Sequence, residues 1–373
     1  VAQSVLASGK VNYWTGDWNA AFESQFAEYI GSRHAIAAAN GSLALDLALI
    51  ALGIGAGDEV IVTPRSYFAS VSSVMLTGAR PVFADVDRDS QNVTAESIAK
   101  VMTPRTRAVM PVHLAGWPCD MPGIMALAEQ HGLAVIEDCA QAHGASIDGV
   151  RVGAYGHAAG FSFCQDKIMT TGGEGGMFTT NNDAIWRRAW SFKDHGKDFD
   201  TVKRKDHPPG FRWQHHSIGN NFRMTEMQAA IGCKQLEKLP DWVARRRANA
   251  GVLRRGLASL DLVRIPWPSS NIEHAAYKFY VFVRPAALRS GWTRDRLMTA
   301  IGERGVPCFS GSCPEIYRER AIIAAGCAPD APLPVARELG ETSLMFLVHP
   351  TINEAQMANV LGVLVDIMKR ATR

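Results

Sequence analysis

Short, dense apolar runs recur through the first half of the chain, at 59–62, 81–84, 108–112 and 134–137. They are rich in Val, Ile and Ala and show little polar alternation, the pattern of strands buried on both faces. The stretches 42–52 (SLALDLALIAL) and 121–131 predict helices between them. Asn40-Gly41-Ser42 offers capping chemistry at the start of the first helix, and the Gly-rich stretch 53–58 ends it. Strands that alternate with helices predict an α/β fold with a mostly parallel sheet covered by helices. Such sheets bind ligands beyond the carboxyl ends of their strands, which gives weight to the polar residues there.

The second half changes character. A long amphipathic helix is predicted over 236–257, carrying Arg245, Arg246 and Arg247, followed by a turn with Pro266 and Pro268. A strand at 277–283 and a helix at 294–304 come next. The 373 residues suffice for two domains at roughly 150 residues each. The boundary is expected near residue 245, giving a large domain, 1–245, and a smaller C-terminal α/β domain, 246–373.

Composition narrows the function classes. Apolar residues make up 47% of the chain, ample for a buried core, and 39 Lys+Arg against 36 Asp+Glu leave a formal charge of +3. Binding to nucleic acid or an anionic membrane needs concentrated positive charge, so neither is expected. Lys203-Arg204-Lys205 and Arg245-Arg246-Arg247 read as solvated faces. No apolar run reaches the ~18–20 residues of a membrane helix. Seven scattered cysteines without a CxxC pair speak against a disulfide framework or zinc knuckle. The start of the chain lacks the basic and apolar regions of a signal peptide, and the expected location is cytoplasmic. Gly53-Ile54-Gly55-Ala56-Gly57 follows a helix and leads into a strand, the reverse of a dinucleotide fingerprint, and GxxxxGK[ST] is absent. His207, His215 and His216 cluster near Pro208 and Pro209 without HExxH or paired cysteines, so no metal is expected. Trp186, Trp190 and Trp213 suit either a core or an interface.

Four segments carry chemistry together. Glu137-Asp138 stands where an apolar strand ends. In Phe161-Ser162-Phe163-Cys164-Gln165-Asp166-Lys167, a Ser and a Lys lie close in sequence. Thr170-Thr171-Gly172-Gly173-Glu174-Gly175-Gly176 permits close backbone approach. Asn40-Gly41-Ser42 presents free helix N–H groups, a place for an anion. A buried acid at a strand end needs a cationic partner. Of the two acids, period-2 alternation sends Glu137 and Asp138 to opposite faces.

In this order, with Ser66-Tyr67-Phe68-Ala69-Ser70 and Gly219-Asn220-Asn221-Phe222-Arg223-Met224, the segments resemble the DegT/DnrJ/EryC1/StrS sugar aminotransferases. These are fold-type I enzymes dependent on pyridoxal 5′-phosphate (PLP). The resemblance runs from Trp14-Thr15-Gly16 to about His349. It implies that Lys167 forms the Schiff base with PLP and shuttles protons, and that Asp138 pairs with the pyridine nitrogen. It further implies that Gln141 meets the phenolic oxygen, while Ser162, Gly41 and Ser42 take the phosphate. Tyr67 would stack on the ring, although Tyr67 and Phe68 could exchange roles. Asn221, or Asn220 beside it, would reach the cofactor phosphate of a neighbouring subunit, making a homodimer. Trp14, His195, Cys308 and His349 are the substrate-side candidates; the segment 308–314 departs from the commoner family pattern.

The resemblance implies transamination of a nucleotide-linked keto-sugar, of the 4-keto-6-deoxy kind, with L-glutamate as donor. PLP and pyridoxamine 5′-phosphate would interconvert. Family members that dehydrate the sugar carry His in place of the Lys, so Lys167 disfavours dehydration. A cyclic ketone such as a keto-inositol is the alternative substrate, and a PLP-holding module without turnover the alternative class.

Overall fold

In the computed structural model, which describes residues 1–207 and 209–373, seven strands form the central sheet. They are β1 (His34–Ala38), β2 (Glu59–Val62), β3 (Arg80–Phe83), β4 (Thr106–Met110), β5 (Ala134–Asp138), β6 (Ala158–Ser162) and β7 (Gly176–Thr180). Their spatial order is β1-β7-β6-β5-β4-β2-β3. Only β7 runs against its neighbours; the pairs β6–β5, β5–β4, β4–β2 and β2–β3 are parallel. The four expected strands are present, one of them (59–62) with the expected ends and the other three shifted by one or two residues. Helix α1 (Gly41–Ala51) packs across the sheet through Ala44, Leu45, Leu47 and Ala48, all buried. Helix α2 (Met121–His131) starts on an Asp120 cap and ends at Gly132 in the left-handed region, as its sequence suggests.

The long helix expected over 236–257 is α4 (Leu239–Leu257), which starts three residues later than expected and follows a separate helix, α3 (Glu226–Leu236). Pro240 gives the reason. It lacks an N–H and fits only the first turn of a helix, so a new helix begins around it. Along α4 the packing changes hands. Leu239 and Val243 belong to the core beneath the central sheet, while Ala250, Leu253 and Leu257 belong to a second core. That second core lies under β8 (Val263–Arg264), β9 (Phe279–Val283), β10 (Cys308–Phe309) and β11 (Ser343–Phe346), paired antiparallel in the order β8-β9-β11-β10. The last helix, Glu354–Ala371, covers it through Val363, Leu364, Ile367 and Met368. All seven cysteines are free thiols, and no helix among the described residues is long and apolar enough to cross a membrane. Pro208, part of the His-rich stretch, lies outside the described residues.

Candidate active site

Asp138 is the last residue of β5, 4% exposed. One carboxylate oxygen accepts a 2.7 Å hydrogen bond from Ser70 Oγ, the other a 3.1 Å bond from the Ala140 N–H. Burial pushes its pKa up, opposed by the Ser70 and Ala140 donors and by the charge of Lys167 nearby. Among the described residues, no ion pair is made by this carboxylate. Glu137 faces the other side of the sheet and is already satisfied. It accepts the N–H groups of Gly153 (2.8 Å), Tyr155 (2.9 Å) and Gly156 (2.7 Å), with His113 Nε2 at 3.1 Å. His113, Glu137 and Cys139 place metal-type ligand atoms within 4.8 Å of one another. Both His113 nitrogens, however, are committed: Nε2 to Glu137 and Nδ1 to the Cys119 N–H at 3.0 Å. The cluster is a structural anchor for the Glu137 side of the strand.

Lys167 stands on the turn between β6 and β7. The turn is pinned by Phe163 N–H to Gly175 O (2.7 Å) and Gln165 N–H to Gly173 O (3.0 Å), and Lys167 N–H itself bonds Cys164 O at 3.0 Å. Its side chain is 16% exposed, with Nζ 3.4 Å from Asp166 Oδ1. Lys167 lies within electrostatic reach of Asp138 and of His143 behind it. His143 is fully buried between the rings of Phe161 and Phe163, and neither ring nitrogen has a hydrogen-bond partner among the described residues. Burial and the Lys167 charge push its pKa down to about 3, so it is neutral beside the lysine.

The third pole is an anion cradle. Asn40 caps α1 by accepting the Leu43 N–H at 3.0 Å, which leaves the Gly41 and Ser42 N–H groups without partners among the described residues. A Cβ on Gly41 would come 2.6 Å from Ser162 Cβ, and one on Gly176 would come 2.2 Å from Asn40 O. The helix start, the end of β6 and the start of β7 therefore meet at one point, and only glycine lets them. Gly176→Ala is expected to displace the Asn40–Gly41 turn at an overpacking cost of ~1–3 kcal/mol. Affinity for a phosphate-bearing cofactor should then fall ~10-fold or more, read by equilibrium titration of the refilled protein. Unchanged affinity would mean that the cradle takes no part in holding it.

An acid awaiting a cation, a lysine and a phosphate-sized set of N–H donors on one rim match the functional groups of PLP. The comparisons agree. A family model described as the DegT/DnrJ/EryC1/StrS aminotransferase family matches residues 1–365. The chain belongs to this family. GDP-perosamine synthase of Escherichia coli O157:H7 is 40% identical over 342 residues, covering 92% of this chain and 88% of that protein. The UDP-N-acetyl-3-dehydro-alpha-D-glucosamine 3-aminotransferase of Acidithiobacillus ferrooxidans is 36% identical over 357 residues, covering 94% and 88%. An aminotransferase from Psychrobacter cryohalolentis of known structure superposes with a TM-score of 0.98 at 53% identity, covering 99% of this chain and 96% of that one. The protein is a PLP-dependent aminotransferase of fold type I.

Around these poles the aminotransferase arranges the other residues that its motifs single out. Gln141 is buried; its side-chain oxygen accepts the Ala115 N–H at 2.8 Å, which leaves the amide N–H groups as donors. Of the aromatic pair, Phe68 packs against the core beneath α1 while Tyr67 is 72% exposed, so Tyr67 is the free ring. Asn221 is exposed, on a segment clamped between Lys193 O and Ala39 N–H through Phe222. Trp14 stands edge-on to Trp190 at 6.0 Å, with Lys197 Nζ 4.5 Å from the Trp14 ring centroid. Next to it His195 is exposed in the left-handed region (φ 60°), on a loop held by the buried Asp194, which binds Arg223 at 2.8 Å. His349 is exposed, Nδ1 2.7 Å from Thr351 Oγ1. Cys308 is half-buried on β10 and packs against the second core, with burial raising its pKa to about 12. The same segment reaches the large domain at Cys313, which bridges to Ser66 beside Tyr67. Ser70, the hydroxyl on Asp138, was not singled out in the sequence, although it closes the quoted aromatic segment; the one signal was its place a turn beyond Tyr67.

Proposed function

We propose that this aminotransferase transfers the amino group of L-glutamate to the keto carbon of a nucleotide-linked sugar, of the 4-keto-6-deoxy kind. The observation that carries the reading is the pairing of an intact Lys167–Asp138 constellation with 40% identity to a GDP-perosamine synthase over almost the full length of both proteins. A second relative, named for a UDP-linked 3-dehydro sugar, supports a nucleotide sugar as the substrate class.

Bound PLP would supply an aldehyde carbon that takes up the amino group and a cationic ring that accepts the electron pair left on the substrate carbon when its proton departs. The chain supplies the rest. Lys167 Nζ holds the aldehyde between turnovers and, once free, carries the proton to and from the substrate carbon. Asp138 keeps its carboxylate against the ring nitrogen and holds the proton there. Gly41, Ser42 and Ser162 bind the phosphate, Gln141 donates to the phenolic oxygen, and Tyr67 lies along the ring. Asn221 reaches the phosphate of a second copy's cofactor, so the enzyme acts as a homodimer. Trp14, His195, His349 and the 308–314 segment, Cys308 included, border the sugar nucleotide.

The test is a pair of half-reactions followed by absorbance. L-Glutamate should convert the PLP form to the pyridoxamine form. A GDP- or dTDP-linked 4-keto-6-deoxy sugar should restore PLP faster than a UDP-linked 3-keto sugar or a keto-inositol. Restoration by the keto-inositol alone would overturn the reading.

A further inference from the structure

Neighbouring side chains seldom face one another in a helix or strand, yet those of Asp166 and Lys167 do. The Lys167 N–H to Cys164 O bond folds 164–167 into a turn, and this brings Asp166 Oδ1 to 3.4 Å from Lys167 Nζ. The other carboxylate oxygen, Oδ2, accepts a 2.7 Å hydrogen bond from the Tyr277 hydroxyl, 111 residues further along the chain. Tyr277 is 5% exposed and packs in the core beneath the central sheet. Its ring is also flanked by two ammonium groups, Lys167 Nζ at 5.5 Å and Lys278 Nζ at 4.7 Å from the centroid. A rigid donor thus fixes one oxygen of the carboxylate and presents the other to the lysine.

We propose that Asp166, held by Tyr277, is a positioning residue for Lys167: it aims the amine and sets a negative charge beside its nitrogen. The proposal rests on the reading that Lys167 carries the cofactor. The charges around the lysine make the contact consequential. Asp138 approaches from the end of β5, but its charge is required at the ring nitrogen. His143, from the turn after β5, is neutral. Lys278, Arg246 and His349, which interact electrostatically with one another on the second-domain side, bring positive charge or none. Asp166 is then the carboxylate left to offset those cations. Burial raises its pKa, but the Tyr277 hydrogen bond and the Lys167 charge outweigh that and hold it below the usual carboxylate range. It stays ionised at neutral pH and stabilises positive charge on the Lys167 nitrogen, whether that nitrogen is a free ammonium or joined to the cofactor. The same contact returns the free ammonium to one place after each turnover.

The experiment is a pH titration of the absorbance of the full-length holoenzyme, which separates protonated from unprotonated lysine-linked cofactor. Relative to wild type, Asp166→Asn should lower the midpoint by about one unit or more. Tyr277→Phe should lower it less, and Asp166→Glu should restore most of the shift. In protein loaded with pyridoxamine 5′-phosphate, where Lys167 is free, acetylation of Lys167 at fixed pH, mapped by mass spectrometry, should be ~10-fold faster in Asp166→Asn. An unmoved midpoint with unchanged acetylation, in variants that melt like wild type, would overturn the proposal, as would a fall in kcat without either shift. Lack of any lysine-linked absorbance in the wild-type protein would instead overturn the reading of Lys167 beneath it.

Discussion

Lys167→Ala is expected to lower kcat by ~10⁴-fold or more while leaving the fold intact. The magnitude follows from two tasks falling on one nitrogen. In the mechanism proposed above it holds the aldehyde of the cofactor and, when released, moves the proton between cofactor and substrate carbon. No neighbour can take over. Lys278 Nζ is engaged with the Tyr277 ring, 4.7 Å from its centroid, and His143 sits neutral and fully buried. The fold should survive because the lysine's backbone, not its side chain, makes the turn: the bonds from Phe163 to Gly175 and from Lys167 to Cys164 are main-chain. The long-wavelength absorbance of the linked cofactor should vanish, while the phosphate cradle still binds PLP more weakly. The spectrum and dialysis equilibrium of the purified variant check this. A variant that retained both absorbance and turnover would remove Lys167 from the mechanism.

Legibility in the sequence was uneven, for physical reasons. Asp138 and Glu137 could be told apart because a strand alternates its side chains, and the structure places them on opposite faces. The strands on either side of Lys167 were not read, because AAGFS and GMFTT carry Ala, Gly, Ser and Thr where the strands that were read carry dense Val and Ile. The start of α4 at Leu239 rather than Leu236 did carry a signal, Pro240, a residue that fits the first turn of a helix. The Asp166–Tyr277 contact had none, since it joins residues 111 apart whose meeting depends on how the second domain docks. Cys308 was singled out with its segment, yet its own side chain points into the small-domain packing, and Cys313 is the residue that touches the large domain. Motifs in this chain mark where backbone and cofactor must meet; they say less about side chains that act through other side chains.

Asp138→Asn should separate catalysis from stability in opposite directions. The replacement is nearly isosteric and keeps an oxygen for the Ala140 N–H, and Ser70 can accept where it donated. What it removes is the charge. With the cofactor ring no longer held protonated, kcat should fall by ~10²–10³-fold, the usual loss when one aligned electrostatic partner of a reacting group is deleted. In the cofactor-free protein the sign reverses. Burial raises the pKa of Asp138 above its unfolded value, so the wild type is most favoured below the unfolded pKa and loses stability as pH rises through the folded one. At pH 8, far above the unfolded value, that penalty weighs on the wild type and is absent from the variant. Cofactor-free Asp138→Asn should therefore melt at the same temperature as wild type or higher at pH 8, with the gap closing as the pH is lowered toward 4. Adding PLP should stabilise the wild type more than the variant, because only the carboxylate gains a cationic partner from it. Calorimetry of both proteins, with and without PLP at the two pH values, measures all four terms. A cofactor-free variant that is less stable than wild type at pH 8 would show that the buried carboxylate is already satisfied by the chain alone and needs no ring nitrogen.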